Sequence, residues 1–500
     1  MVVTESGLGI SWGTSEATAP ALHFLMTDYF GSRLHDARNN SAGILSVVLD
    51  SSQQMSGKFY REPVKFGRNP NGFNFVREGG KFPDPGQHKA REYFQRARTQ
   101  FHRFVIQGKI LRAARGDATR YVDPLSDAMA DQMDDYLVDM ARIMYSDGSG
   151  RIAEFSAGAA ATTGTLTLRA NQDVLTGHGS GASAATSAPD EPATHYIEVG
   201  GRYAIVSPTG GAIRYYFVVN SIDSATTVNA TTVGASSAVS LNGNSVAAGD
   251  YVVKCSNDDS AAAASIVNTA HRQEPVGLGG IFGVLGIFDG NGPGVEVGSA
   301  TPFAETSLAY SYGGTDYYGA DQHWFQGLPA NSAAASWNGD LVFNQAIVSQ
   351  NGGTPRTPNE SVFQRFYSRI RDTNNAAPDL IVSRSEVRDT YAETLVQDKR
   401  YNDTLNLKGG WDSALVGPGG KPWVTDIRCQ HNRAYLLALS DGGWMQLVEE
   451  ALGWATEQGA NVWQYLQDDD IYQARMVESM NFVVGVRNRC GGLILDLLES

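Results

Sequence analysis

The residues that could do chemistry fail, motif by motif, on spacing. Gly277 and Gly279 begin a run resembling a dinucleotide loop, but the third glycine position holds Phe282 and no clear strand precedes it. Gly417, Gly419, Gly420 and Lys421 look like a phosphate loop. The residue after Lys421 is Pro422, however, where magnesium needs a Ser or Thr hydroxyl, and the first glycine is misplaced, so this run reads as a turn. No Gly-x-Ser-x-Gly elbow occurs; Gly177, Gly179, Ser180 and Gly181 are out of phase with one. The nine histidines are scattered, and none pairs with another at i+3 or i+4 as on a zinc helix. Asp468, Asp469 and Asp470 lack the glycine and spaced ligands of a calcium loop and read as a solvated turn. Paired carboxylates that act on glycosides converge only in space, and nothing in the sequence points to them. The sequence thus nominates no catalytic, cofactor-binding or metal-ligating residue, and no cofactor.

The composition narrows the class. Cys255, Cys429 and Cys490 form no CxxC pair and read as buried thiols in a reducing compartment. Residues 1–10 carry no basic start or long apolar run, so no signal peptide is expected. No run of about 18 apolar residues exists, so no membrane span is expected. The net charge is −14, unevenly spread: residues 51–120 hold 15 Lys/Arg against 5 Asp/Glu, leaving 24 against 48 elsewhere. A basic segment on an acidic body could bind nucleic acid or could dock on the next copy of the same chain. The acidity of the body favours docking between copies.

These features must be positioned by the elements around them. Residues 20–38 read as a helix, with Leu22, Leu25, Met26, Tyr29 and Leu34 near a 3.6 period. In the basic segment, 57–115, an extended piece at 59–66 and an alternating piece at 100–115 suggest a strand pair. Between them, 67–87 is rich in Gly, Pro and Asn and has no apolar face, so this long loop should pack on something else.

Residues 117–145 give the strongest helix signal. Asp117 or Asp123 could cap it and Pro124 suits its first turn. Met129, Met133, Tyr136, Leu137, Met140 and Met144 form one stripe, while Asp127, Asp131, Asp134, Asp135 and Asp139 form a face expected to be solvated or to meet a neighbour's basic arm.

In residues 151–270 the composition changes: 63 of 120 are Ala, Gly, Ser or Thr, and 5 are Lys or Arg. Short β-like runs at 163–168, 195–199, 203–206, 213–220, 227–229 and 251–255, separated by Gly and Asn turns, predict an inserted all-β module, sandwich or barrel. Residues 271–350 are Gly-rich and aromatic with few helix signals. Helices are expected at 360–372 and 386–396, a buried strand at 378–383, and an apolar strand at 492–496.

The order of these segments resembles the major capsid proteins of tailed bacteriophages over nearly the whole chain outside 151–270. The phrases that carry it are REPVKFGR at 61–68 and FVIQGKIL at 104–111, like the two strands of the family's extended loop, and DLIVSRSEVRD at 379–389 with RYND at 400–403, like its axial-domain strand, helix and turn. KPWVTD at 421–426 resembles the next strand. The resemblance implies an α+β fold, the tailed-phage major capsid fold. It has an N-terminal arm at 1–56, an extended loop at 57–115, a spine helix within 116–150, an inserted all-β domain at 151–270, an axial domain at 271–465, and C-terminal strands at 466–500 completing the core. It implies a non-enzymatic subunit of an icosahedral virion head, assembled in the host bacterial cytoplasm. Its main partner would be itself, in hexamers and pentamers. Scaffolding and portal proteins would be further partners, a decoration protein an optional one, and enclosed genomic DNA would make at most non-specific contacts. Some family members join an extended-loop lysine to a neighbour's asparagine; Lys58, Lys65, Lys81 and Lys89 are available here, with no partner indicated. The residues leave open an extracellular β-rich tail or adhesin protein, a hydrolase with an inserted module, and a nucleic-acid binder using 57–115.

Overall fold

In a computed structural model, the chain is described over residues 52–54, 60–67, 78–81, 89–95, 97–108, 124–146, 148, 150–155, 165–170, 192–206, 213–232, 250–255, 274–282, 347–349, 355–398, 420–454, 464–466 and 470–499, with two short strand pairs within 311–329. The helix expected at 20–38 lies outside these residues.

The first elements belong to the basic segment. After β1 (Ser52–Gln54) come β2 (Tyr60–Gly67), β3 (Lys89–Gln95) and β4 (Arg98–Gln107). The strand pair is there, but its second member differs from the expected one. β2 pairs antiparallel with β3, from Tyr60↔Gln95 to Gly67↔Lys89. The 98–107 strand joins a different sheet. An excursion with no core of its own closes through backbone pairing, so the side-chain alternation at 100–115 was reporting another partner.

The long helix α1 (Pro124–Ile143) begins on its proline, whose missing N–H costs nothing in a first turn. Its stripe is buried at Tyr136, Met140 and Met144, while Met133 is exposed, so the core covers only the C-terminal half of the helix's described face.

The Ala/Ser/Thr-rich region folds as a closed six-stranded barrel. Its strands are β5 (Arg151–Phe155), β6 (Thr165–Ala170), β7 (Arg202–Val206), β8 (Ile213–Ile222), β9 (Thr227–Thr232) and β10 (Tyr251–Lys254). They pair in the cyclic order β10-β5-β6-β9-β8-β7. Closure removes sheet edges and turns the apolar side chains of the strands onto a shared interior. One cluster of Phe155, Leu166, Leu168, Tyr203, Ile205, Phe217, Val219, Val228 and Val252 forms its core. The strand expected at 195–199 is instead a turn: His195 N–H donates to Pro192 O and Ile197 N–H to Thr194 O. β5 carried no strand signal, because all five of its residues are buried and no alternation is visible.

A one-turn helix α2 (Leu278–Ile281) follows. The two hairpins β11 (Ser311–Tyr312) with β12 (Thr315–Asp316), and β13 (Trp324–Phe325) with β14 (Leu328–Pro329), are minimal.

The rest builds two sheets. β15 (Ile347–Ser349), helix α3 (Glu360–Asn374), β16 (Leu380–Ser383), helix α4 (Ser385–Asp398), β17 (Trp423–Thr425) and β18 (Ala434–Leu437) precede the long hairpin strands β19 (Trp444–Trp454), β20 (Gln464–Leu466) and β21 (Ile471–Val484), and β22 (Gly491–Ile494) ends the series. One five-stranded sheet runs β15-β22-β18-β16-β17, with the near-terminal β22 inside it. The other joins β1, β19, β20 and β4 around β21, whose register with β4 spans Ile471↔Gln107 to Met480↔Arg98.

α3 starts where Asn359 Oδ1 accepts from Val362 N–H at 2.9 Å, and it stops at Asn375 in the left-handed region (φ 51°). It buries Phe363, Phe366 and Ile370 against Tyr391 and Trp423 on one face of the first sheet. The other face joins the C-terminal half of α1, α2 and β21 in a single core with Tyr145, Phe282, Tyr435, Trp444, Phe482 and Leu493. Among the described residues no helix is long and apolar enough to cross a membrane.

Candidate functional site: a basic hairpin and its mounting

Among the described side chains, one face of the hairpin of β2 and β3 is exposed. Arg61, Pro63 and Lys65 are exposed along β2, and only Val64 between them is buried, against Ala97, Leu447 and Val483. Lys81, in the described part of the connection, is exposed too. A two-stranded ribbon held by its root is marginal alone and is stabilised by lying on another surface.

The root of this hairpin is braced. β4 continues from it along β21, and Thr99 Oγ1 lies 3.1 Å from Ser479 Oγ. The edge of the His102 ring meets the Tyr136 ring of α1 at 5.2 Å. Tyr136 Oη donates to Glu478 Oε2 in the buried seam between α1 and β21. Burial first, then the Glu478 charge and this bond, raise the Tyr136 hydroxyl far above its usual range. Burial also raises Glu478, and the Tyr136 bond offsets part of that.

The last turn of α1 is locked to α2. Arg142 makes a buried two-pronged ion pair with Glu274. Burial works against the Arg142 charge, but Glu274 and Asp139 outweigh it and raise its pKa. Val276 N–H donates to Asn481 Oδ1 at 2.9 Å, and Leu278 N–H donates to Met144 O at 2.6 Å. Here the glycines read in sequence as a near-miss nucleotide loop find their reason. A Cβ on Gly277 would stand 2.3 Å from Ile143 O, and one on Gly279 would stand 2.7 Å from Tyr145 O. They are small because backbone packs on backbone.

The barrel is fixed to the same helix. Lys254 of β10 bridges to Asp139 at 2.5 Å. This corrects the expectation for the aspartate face at that position: Asp139 meets a lysine of its own chain. Burial would raise Asp139, but Lys254 and Arg142 hold it below the usual carboxylate range. At the barrel's other contact, Tyr196 Oη donates to Arg428 O at 2.9 Å, and the His195 and His431 rings meet edge-on at 6.2 Å. Burial, then the charges of Arg384, His431 and Arg428, press His195 down to about 4, so its imidazole is neutral.

Among the described residues the remaining sequence motifs gather no reactive set, and Asp468 and Asp469 lie outside them. Gly420 takes a positive φ of 77°, as a turn requires, and Asp470 is exposed with its carbonyl accepting from Gly108 N–H at 2.7 Å. Residues 177–181 and 417–419 lie outside the described residues. The structure does bring together Glu386, His431 and Glu499, whose ligand-type atoms all lie within 4.8 Å of one another. Sequence reading missed this group because its members come from α4, a turn before β18 and the C-terminal segment, with no shared spacing.

No family model matches the chain, and no curated protein matches its sequence. Solved structures do. The chain is similar to the cyanophage A-1(L) capsid asymmetric unit at 10% identity, covering 95% of this chain and 97% of that one with a TM-score of 0.50. Two more distant likenesses are the capsid of myovirus phage XM1 (6% identity, 94% and 97% covered, TM-score 0.39) and the capsid of the native gene transfer agent particle (7%, 97% and 99%, TM-score 0.39). On the strength of the cyanophage match, which spans both chains almost end to end, the fold of this chain is that of a phage capsid protein.

Proposed function

We propose that this chain is the major capsid protein of a tailed phage, a subunit that assembles with copies of itself into the icosahedral head and catalyses no reaction. The observation that carries this reading is the basic β2–β3 hairpin, packed on the core through Val64 and Tyr60 with Arg61, Pro63 and Lys65 exposed, on a chain whose fold is that of a phage capsid protein. In this reading, residues 57–115 form the extended loop, laid on the acidic surface of the next subunit. α1 is the spine that carries it, the sheet holding β16, β18 and β22 is the axial platform, and the barrel is an insertion held against α1. Closed symmetry then makes one patch meet its complement in pentamers and hexamers. Scaffolding and portal proteins act during assembly in the host cytoplasm, and enclosed DNA is contacted without sequence preference.

Negative-stain electron microscopy of the protein expressed alone and with a co-expressed scaffolding partner tests this directly. Closed shells or discrete pentamers and hexamers are expected; monomers or trimers under every condition overturn it. Removing residues 69–86 separates assembly from folding. The shortened chain should keep its circular dichroism and lose closed shells, and intact shells would refute the role of this loop.

A further inference from the structure

We propose that Glu386, His431 and Glu499 form a binding site for a divalent transition-metal ion of the zinc class, a site that clamps the C-terminal segment to the sheet platform beside the barrel. The three offer one carboxylate oxygen, one imidazole nitrogen and a second carboxylate oxygen, all within 4.8 Å of one another. Around a zinc ion with bonds of roughly 2.1 Å, tetrahedral ligand atoms stand about 3.4 Å apart, so shifts of an ångström or so complete the sphere. Two carboxylates and an imidazole match the charge and softness of a borderline divalent ion, and a fourth position is left for water.

The site is held from behind. Glu499 is almost wholly buried; its Oε1 accepts from Asn432 N–H at 2.7 Å, while Oε2 lies 2.6 Å from His431 Nδ1. Arg384 Nε donates to Glu386 Oε2 at 2.9 Å. The Asn432 and Arg384 bonds orient ligand oxygens as outer-shell contacts do in metal sites, whereas the His431–Glu499 contact joins two ligand groups and would give way to the ion. The His195 ring, 6.2 Å from that of His431, brings a second imidazole from the barrel to the same junction. Among the described residues its Nε2 is buried without a hydrogen-bond partner.

The test is zinc titration by calorimetry on the full-length protein after chelator treatment, with cobalt absorption as a spectroscopic probe of nitrogen and oxygen ligation. One ion per chain is expected, with a rise in melting temperature that chelator reverses. His431→Gln and Glu499→Gln should each weaken binding by at least about tenfold, the scale on which even supporting contacts act. Glu393→Gln, on an exposed carboxylate of α4, should change nothing. Should the two buried-site variants fail to fold, the more exposed Glu386→Gln decides by the same loss. No saturable zinc binding in the wild-type chain, or binding that the foldable ligand variants leave unchanged, overturns the proposal.

Discussion

The hydroxyl of Tyr136 and the carboxylate of Glu478, 342 positions apart in the chain, meet as donor and acceptor inside the seam between α1 and β21. That bond ties the helix beneath the platform to the strand that carries β4, and through β4 the root of the basic hairpin.

Tyr136→Phe should therefore cost about 1–3 kcal/mol, because it leaves a buried carboxylate without its donor. Glu478→Gln should cost less, since an amide oxygen still accepts the bond and no charge is buried. The sign with pH follows from Glu478's raised pKa. The native state holds its proton more tightly, so this contribution is full below the unfolded carboxylate range near 4.3 and is lost as pH rises through the folded value. Denaturant melts of both variants from pH 4 to 8 check this; Glu478→Gln should flatten that part of the profile, and an unchanged profile would count against the assignment.

Asp139 behaves oppositely. Lys254 and Arg142 hold it below its ordinary value, so its stabilising share is present above the unfolded pKa near 3.9 and is lost as pH falls through the folded one. Asp139→Asn should remove that acid-side slope while costing at most about 1 kcal/mol at neutral pH, because the lysine is partly solvated. Hydrogen exchange of β10 should rise in the variant, reporting a barrel loosened from α1.

The buried pair is a different matter. Glu274→Ala strands the Arg142 guanidinium in the core and should cost about 3–5 kcal/mol, whereas Arg142→Met with Glu274→Leu should recover much of that loss. A double-mutant cycle on thermal or denaturant stability measures the coupling, and additive losses would show the pair to be independent.

How far the sequence revealed this arrangement depended on whether a signal was local. Pro124 and the Tyr136, Met140, Met144 stripe marked α1, and the apolar run at 380–383 marked a strand buried on both faces. The charged run of β3, Lys89–Gln95, has no apolar alternation and becomes a strand only through its pairing with β2. Residues 195–199 have strand-like composition, but the backbone bonds of His195 and Ile197 close turns instead. Glu386, His431 and Glu499 converge only after β16, β18 and β22 have paired in one sheet, and sequence spacing carries no trace of that.

The thiols offer a check on the core as a whole. Cys255 and Cys490 are buried and pushed up to about 12, by burial in each case, with Arg202 and Arg487 opposing it only in part. Reactivity follows the thiolate, so neither should react with a maleimide or disulfide reagent in the folded chain at neutral pH, and both should react once it is unfolded. Mass spectrometry of labelled peptides distinguishes the two; rapid native labelling at Cys490 would mean that the sheet around β22 opens.

The sharpest test of the mounting is steric. Gly277 and Gly279 lie where α2 abuts the end of α1, and an added methyl at Gly277 would sit 2.3 Å from Ile143 O and 2.4 Å from Met144 O. Neither carbonyl can retreat cheaply, since Met144 O accepts the Leu278 N–H and both belong to the backbone at the end of the helix. Gly277→Ala should therefore separate the two elements, lose the Leu278 bond and strain the Arg142–Glu274 pair beside it, for a loss above about 3 kcal/mol. Had these glycines served to approach a phosphate, the same substitution would abolish nucleotide binding and leave the melting temperature nearly unchanged. A thermal melt of Gly277→Ala, read beside a nucleotide-binding assay of the wild-type chain, separates the two roles, and a large drop in stability with no nucleotide bound by either protein is the expected result.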